Sequence, residues 1–137
     1  MKSHFENREV SKGALWCGRI LSGLVILFLL FDGTMKLIPL KIVIDTAAQI
    51  GIPATIDFAR LLGVLTLVST ILYAIPRTSV LGAILLTAYM GGAIETHLRI
   101  ENPLFTHILF GVYLGLMIWG GLYLRDPKVR ALIPLRR

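Results

Sequence analysis

The chain has 137 residues, of which 55% are hydrophobic and 16% charged, with a net charge of +6 and a mean hydropathy of +0.77. A soluble domain covers its surface with roughly 25% charged residues; this chain has too few, so its solvent is partly lipid, and residues 1–137 make a single domain. Its basic residues flank apolar runs and form no stripe interleaved with aromatics, which argues against nucleic acid as a partner and fits a membrane protein facing an anionic cytoplasmic leaflet.

The N-terminal segment is mixed in charge. The first apolar run leads into Phe31-Asp32-Gly33, with no small-x-small cleavage pattern, so the first helix is predicted to stay. The single cysteine, Cys17, permits no disulfide or dithiol within the chain. At the start of an apolar run it is predicted to be a small buried filler.

Crossing ~30 Å of hydrocarbon takes about 20 apolar residues. Four stretches qualify: residues 14–31, with Arg19 near enough to its end to snorkel, 54–75, 79–95 and 104–124. Pro76-Arg77-Thr78 and Glu101-Asn102-Pro103 separate the later ones, because proline cannot continue the backbone ladder, and such short links force antiparallel hairpins. In the long first connection, from Asp32 to about Pro53, apolar Leu40, Val43, Ile44, Ala47, Ala48 and Ile50 oppose Lys41, Asp45 and Gln49. That periodicity predicts a short helix lying at the membrane interface; a loop is the other reading. The fold class predicted is all-α: an integral membrane four-helix bundle with a short interfacial helix between helices one and two.

Ten of the fourteen Lys and Arg residues (Lys2, Arg8, Lys12, Arg19, Arg77, Arg125, Lys128, Arg130, Arg136 and Arg137) fall on the side of the termini. The positive-inside rule therefore predicts cytoplasmic N- and C-termini in a multi-pass inner-membrane protein. Glycines recur in the helices, where small residues let backbones approach closely. Gly111-x-x-x-Gly115 has the spacing of a helix-contact face, read as intramolecular packing or as a homodimer face. Trp16, Trp119, Tyr113 and Tyr123 suit an interfacial belt or helix packing and are assigned no site.

Ionisable residues gather at the opposite end. Asp32 and Lys36 close helix one, Asp57 and Arg60 open helix two, Glu95, His97 and Arg99 close helix three, and His107 falls early in helix four. Ionisable groups in membrane segments are costly unless paired and mark candidate sites. The spacing predicts the pairs Asp32–Lys36, Glu95–Arg99 and Asp57–Arg60. Such a network is either a ligand site or structural glue, and Arg60 and Glu95, the deepest charges, have the stronger claim to a site. Haem ligation by His97 and His107 is a weaker reading, and no closely spaced cluster suggests a metal.

Several stretches together resemble the DoxX family of small bacterial membrane proteins. They are Phe31-Asp32-Gly33 with Lys36-Leu37, Leu62-Gly63-Val64, Gly91-Gly92-Ala93-Ile94 with Thr96-His97-Leu98-Arg99, and the tail from Trp119 to Pro127 and on to Pro134. The resemblance implies a four-helix membrane bundle. Named members of the broader family are linked to thiosulfate:quinone oxidoreductase and to membrane complexes that defend against oxidants. The resemblance also implies a glutamate a few residues into helix two and a small residue before Thr-His; this chain departs from both, with Thr66 and Glu95.

These observations predict an accessory subunit whose polar end binds a quinone or lipid, with the bilayer and membrane proteins as partners. Arg60, His97 and Arg99 are the expected donors to a quinone carbonyl, and Glu95 or a histidine the expected proton relay. No motif for haem, flavin or iron–sulfur clusters occurs, so a catalytic quinone-linked oxidoreductase needs its electron donor from elsewhere. A transporter subunit is the third reading, disfavoured because the charges lie at one face and not at the midplane.

Overall fold

The computed structural model describes residues 11–38 and 40–132. The side chain of His107 lies outside the described residues, as do Lys2, Arg8, Pro134, Arg136 and Arg137. The structure is 88% helical and has no strand among the described residues.

Helix α1 spans Lys12–Leu37 and opens on Ser11, whose side chain accepts a hydrogen bond from the Ala14 amide at 3.2 Å. It continues past the expected end at Phe31, because nothing before Ile38 breaks a helix. Ile38 turns extended (φ −81°, ψ 132°), as a residue followed by proline should. The short helix read from periodicity is α2, Lys41–Gln49. Helix α3 spans Ile56–Ala74 and is capped by Thr55. A 3₁₀ turn at Pro76–Thr78 leads into α4, Ser79–Arg99, which outlasts the expected stop at Glu95. A π-helical turn, Leu104–Ile108, precedes α5, Leu109–Arg125. Four segments are long and apolar enough to cross a membrane: Lys12–Leu37, Ile56–Ala74, Pro76–Arg99 and Leu104–Arg125.

The chain adds one element that the sequence reading lacks. Helix α6, Pro127–Leu132, follows α5 directly. Asp126 Oδ1 accepts from the Lys128 amide at 2.9 Å, and Pro127 supplies the preset φ of a first helical position. Asp-Pro, an N-cap residue followed by a proline at the first helical position, was its signal.

The long helices close a ring of contacts in which α1 packs on α3 and α5, and α4 packs on the same two; α2 rests on α3, and α6 on α5. The end that holds the start of α1 and the close of α5 is termed proximal, and the end with the close of α1 and the start of α3 distal. The core joins Val25 and Leu29 of α1 to Leu86 and Met90 of α4 and Leu114, Ile118 and Leu122 of α5.

Close backbone approaches set the crossings. A Cβ on Gly33 would lie 2.8 Å from Leu67 Cγ, and one on Gly63 2.8 Å from the Gly33 carbonyl, so α1 and α3 touch almost backbone to backbone. Gly18 and Gly121 do the same for α1 and α5, and Gly82 packs on the Tyr73 backbone. Gly111 faces Ile94 of α4, which makes it an intramolecular contact, whereas Gly115 has open space beside it.

Tyr73 ties three helices together. Fully buried at 0% exposure, it donates its hydroxyl proton to the Ile118 carbonyl of α5 at 2.7 Å and lies 2.8 Å from Ser22 Oγ of α1. With the phenol proton spent on Ile118, Ser22 is the donor of the second bond. The Arg125 guanidinium lies 5.6 Å from the Tyr73 ring centre.

Cys17 corrects an expectation, for it is exposed. The inward face of α1 is taken by Gly18, Ser22, Val25 and Leu29, and a residue about 100° around the helix from Gly18 points outward.

Replacing Tyr73 by phenylalanine is expected to cost about 1 kcal/mol of unfolding free energy, the usual scale of an interhelical hydrogen bond in a membrane. Gly82→Val forces a side chain into the Tyr73 backbone and should leave no folded protein. Unfolding in graded sodium dodecyl sulfate, followed by circular dichroism, measures both.

Candidate functional site

The distal end is built where the last turns of α1 meet the first turns of α3 beneath α2. Gly33 and Gly63 bring the two backbones together, and a Cβ at Gly63 would stand 3.1 Å from Lys36 Cβ. That contact sets the position of Lys36. Its ammonium donates to Asp32 Oδ2 at 2.7 Å and to the Tyr89 hydroxyl of α4 at 2.8 Å. It also lies 5.2 Å from the Tyr89 ring centre. The two charged side chains are only 22% and 35% exposed, Lys36 the less.

Asp32 and Lys36 form part of the wall of a cavity of about 270 Å³. Met35 continues the wall along α1; Ile42, Val43, Thr46 and Ala47 of α2 roof it; Phe58, Ala59 and Leu62 of α3 close the other side. The lining is apolar but for the ion pair and Thr46, whose hydroxyl donates to the Ile42 carbonyl at 2.7 Å. This is the general pattern of a small-molecule site, a mostly apolar hollow with a few placed polar groups.

The structure brings all four helix ends with sequence-predicted site residues to this end of the molecule; among the described side chains only those of Asp32 and Lys36 reach the cavity. Among the described residues theirs is the one ion pair. The expected Glu95–Arg99 and Asp57–Arg60 pairs do not form. Glu95 and Asp57 are exposed on outward faces, while both arginines serve backbone carbonyls at helix ends, which lack intrahelical partners. Arg60 Nε donates to the Leu37 carbonyl that ends α1, at 3.3 Å, and Arg99 Nη2 to the Ile50 carbonyl that follows α2, at 2.9 Å. His97 is half-buried, with its Nδ1 2.6 Å from Asn102 Nδ2. The side chain of His107 lies outside the described residues. Thr66, at the position where the resemblance implies a glutamate, is fully buried and donates to the Leu62 carbonyl at 2.8 Å.

Tyr89 is the functional candidate that sequence reasoning missed. A tyrosine inside an apolar helix needs a partner for its hydroxyl when buried, and a lysine four residues after an aspartate offers one. That signal was present, though it does not name the partner without the fold.

Arg99 does a second thing. Gly51 adopts φ +76°, a left-handed conformation suited to glycine, and a Cβ there would lie 3.1 Å from Arg99 Nη2. The guanidinium thus sits against the turn that ends α2 and ties the roof of the cavity to α4. Apart from this tie, α2 packs chiefly on α3.

Four helices of this length and hydropathy define a membrane protein. The model of the DoxX-like family matches residues 20–121, and the chain belongs to that family. No curated protein and no solved structure is matched.

Substituting Arg99 by methionine removes the tie between α4 and the end of α2. Hydrogen exchange followed by mass spectrometry should show amides of residues 41–52 exchanging about tenfold faster, the effect of losing one charge-assisted bond, with those around Tyr73 unchanged.

Proposed function

We propose that the chain is an accessory subunit of a membrane redox or stress-response system, and that its distal cavity holds a small amphipathic molecule of the quinone or lipid type. The observation that carries this reading is the cavity itself: apolar, large enough for one end of an amphiphile and open at one side, with a single ion pair set in its wall. Such a hollow suits a molecule with one polar end and an apolar remainder. It recruits Asp32 and Lys36 from the predicted residues. Arg60 and Arg99 take part indirectly, by fixing the ends of α1 and α2 that frame the hollow.

In this reading the protein is a multi-pass four-helix bundle of the bacterial inner membrane, with cytoplasmic termini. The basic residues of the proximal end support that orientation, for Lys12, Arg19, Arg77, Arg125, Lys128 and Arg130 all fall there, against Asp126 as the one acid among the described residues. The distal end then faces outward, and α2, with apolar Val43 and Ala47 turned inward and Lys41, Asp45 and Gln49 exposed, lies along the outer interface.

Protein taken from native membrane without harsh detergent should carry a bound quinone- or lipid-type molecule detectable by mass spectrometry. Ala47→Phe, which fills the cavity from its roof, should lose that molecule while the protein stays folded; retention of the same occupant by the variant would place it elsewhere. A C-terminal green fluorescent protein fusion should fluoresce and a C-terminal alkaline phosphatase fusion should be inactive, as cytoplasmic termini require.

A further inference from the structure

The chemistry of the cavity wall narrows the kind of polar head that fits it. Lys36 has three N–H donors, of which one goes to Asp32 Oδ2 and one to Tyr89. Asp32 accepts through Oδ2, and its Oδ1 has no protein partner among the described residues. Thr46 has spent its proton on Ile42 and offers only lone pairs. A head group lying against this wall therefore meets one spare donor beside spare acceptors.

The charge is equally informative. Asp32 and Lys36 cancel, and no other charged residue among those described lines the cavity. An anionic head taking the spare Lys36 N–H would set a second negative charge beside one ammonium, leaving the apolar hollow with a net charge of about −1, which is strongly unfavourable. A head with acceptors alone, such as an ester, leaves Asp32 Oδ1 unmatched. At about 270 Å³ the cavity also falls just below the usual span of ligand sites, roughly 300 to 1,000 Å³. It takes a head and the first part of a chain. Ile42 lines the cavity and is yet 62% exposed, so it marks the rim where the rest of the chain leaves.

Resting on the reading of the cavity as an amphiphile site, we infer that it selects a neutral amphiphile bearing a hydroxyl, which donates to Asp32 Oδ1 and accepts from Lys36 Nζ. A mono- or diglyceride and a reduced quinol share this chemistry; an oxidised quinone, an ester without a hydroxyl and a fatty acid anion do not.

The test is photocrosslinking of a diazirine-tailed C18 alcohol to the protein in phosphatidylcholine nanodiscs at pH 9, with the crosslinked peptides mapped. Competitors of one chain length, oleyl alcohol, methyl oleate and oleate, compare hydroxyl, ester and anion; a decyl-substituted quinol and monoolein then separate the two sources of the hydroxyl. Oleyl alcohol should compete at about one-tenth the mole fraction needed by the ester or the anion, the worth of one hydrogen bond. Asp32→Asn leaves Lys36 uncompensated, so oleate should become the better competitor. Tyr89→Phe keeps the wall neutral and should keep the preference for the alcohol. If Asp32→Asn does not fold, Lys36→Gln carries the same logic with the opposite sign, and oleate should compete still less. Wild-type preference for oleate or methyl oleate overturns the inference and leaves an amphiphile site standing. Absence of any saturable crosslink at the cavity overturns the amphiphile site itself.

Discussion

The architecture depends on how closely helix backbones approach one another. Lipid is as apolar as leucine, so burying leucine between helices gains little over leaving it in the bilayer, and association rests on packing and interhelical hydrogen bonds. Each contact in the ring has a glycine where a side chain does not fit: Gly33 and Gly63 between α1 and α3, Gly18 and Gly121 between α1 and α5, Gly82 between α3 and α4, and Gly111 between α4 and α5. At these points the backbones come near enough for dispersion contacts to accumulate. Tyr73 then fixes three of the helices by hydrogen bonds that cannot be exchanged for water.

The same constraint makes the cavity. Gly33 and Gly63 pin α1 to α3 one turn from Lys36, and beyond that crossing the two helices give way to the short chain segment that carries α2 across them. The hollow is what remains between a tight crossing and a loosely held roof. Its polar groups follow from this position. Lys36 is turned toward α4, where Tyr89 receives it, and Asp32, one helical turn back, faces the same ammonium. Among the described residues the proximal end has no counterpart to the arrangement: there the hydrogen bonds of Ser22 and Tyr73 and the guanidinium of Arg125 beside the Tyr73 ring fill the interior.

Much of the fold was legible because hydropathy, proline and helical periodicity act locally. Four long apolar runs, the breaks at Pro76 and Pro103 and the amphipathic pattern of α2 all follow from neighbours in sequence. The site was legible in part. The Asp32–Lys36 pair is likewise local, spaced one turn apart, and it formed. Glu95–Arg99 and Asp57–Arg60 have equally suitable spacing and did not form, because unbonded carbonyls at the ends of α1 and α2 were nearer rivals for the two guanidinium groups. That competition, like the meeting of Lys36 with Tyr89, is settled by which helix ends come together. The expected burial of Cys17 failed for a smaller reason: the stretch is apolar on every side, and periodicity gives no phase.

The local nature of the Asp32–Lys36 pair has a consequence for biosynthesis. Tyr89 is 53 residues further along the chain than Lys36 and is not yet made when α1 leaves the ribosome. Asp32 lies within reach from the first. With the termini cytoplasmic, as proposed, α1 carries a lysine and an aspartate through the translocation machinery with the two already neutralising one another. In that orientation the pair that lines the finished cavity also eases the passage of α1, and the tyrosine arrives later at an ammonium already held in place.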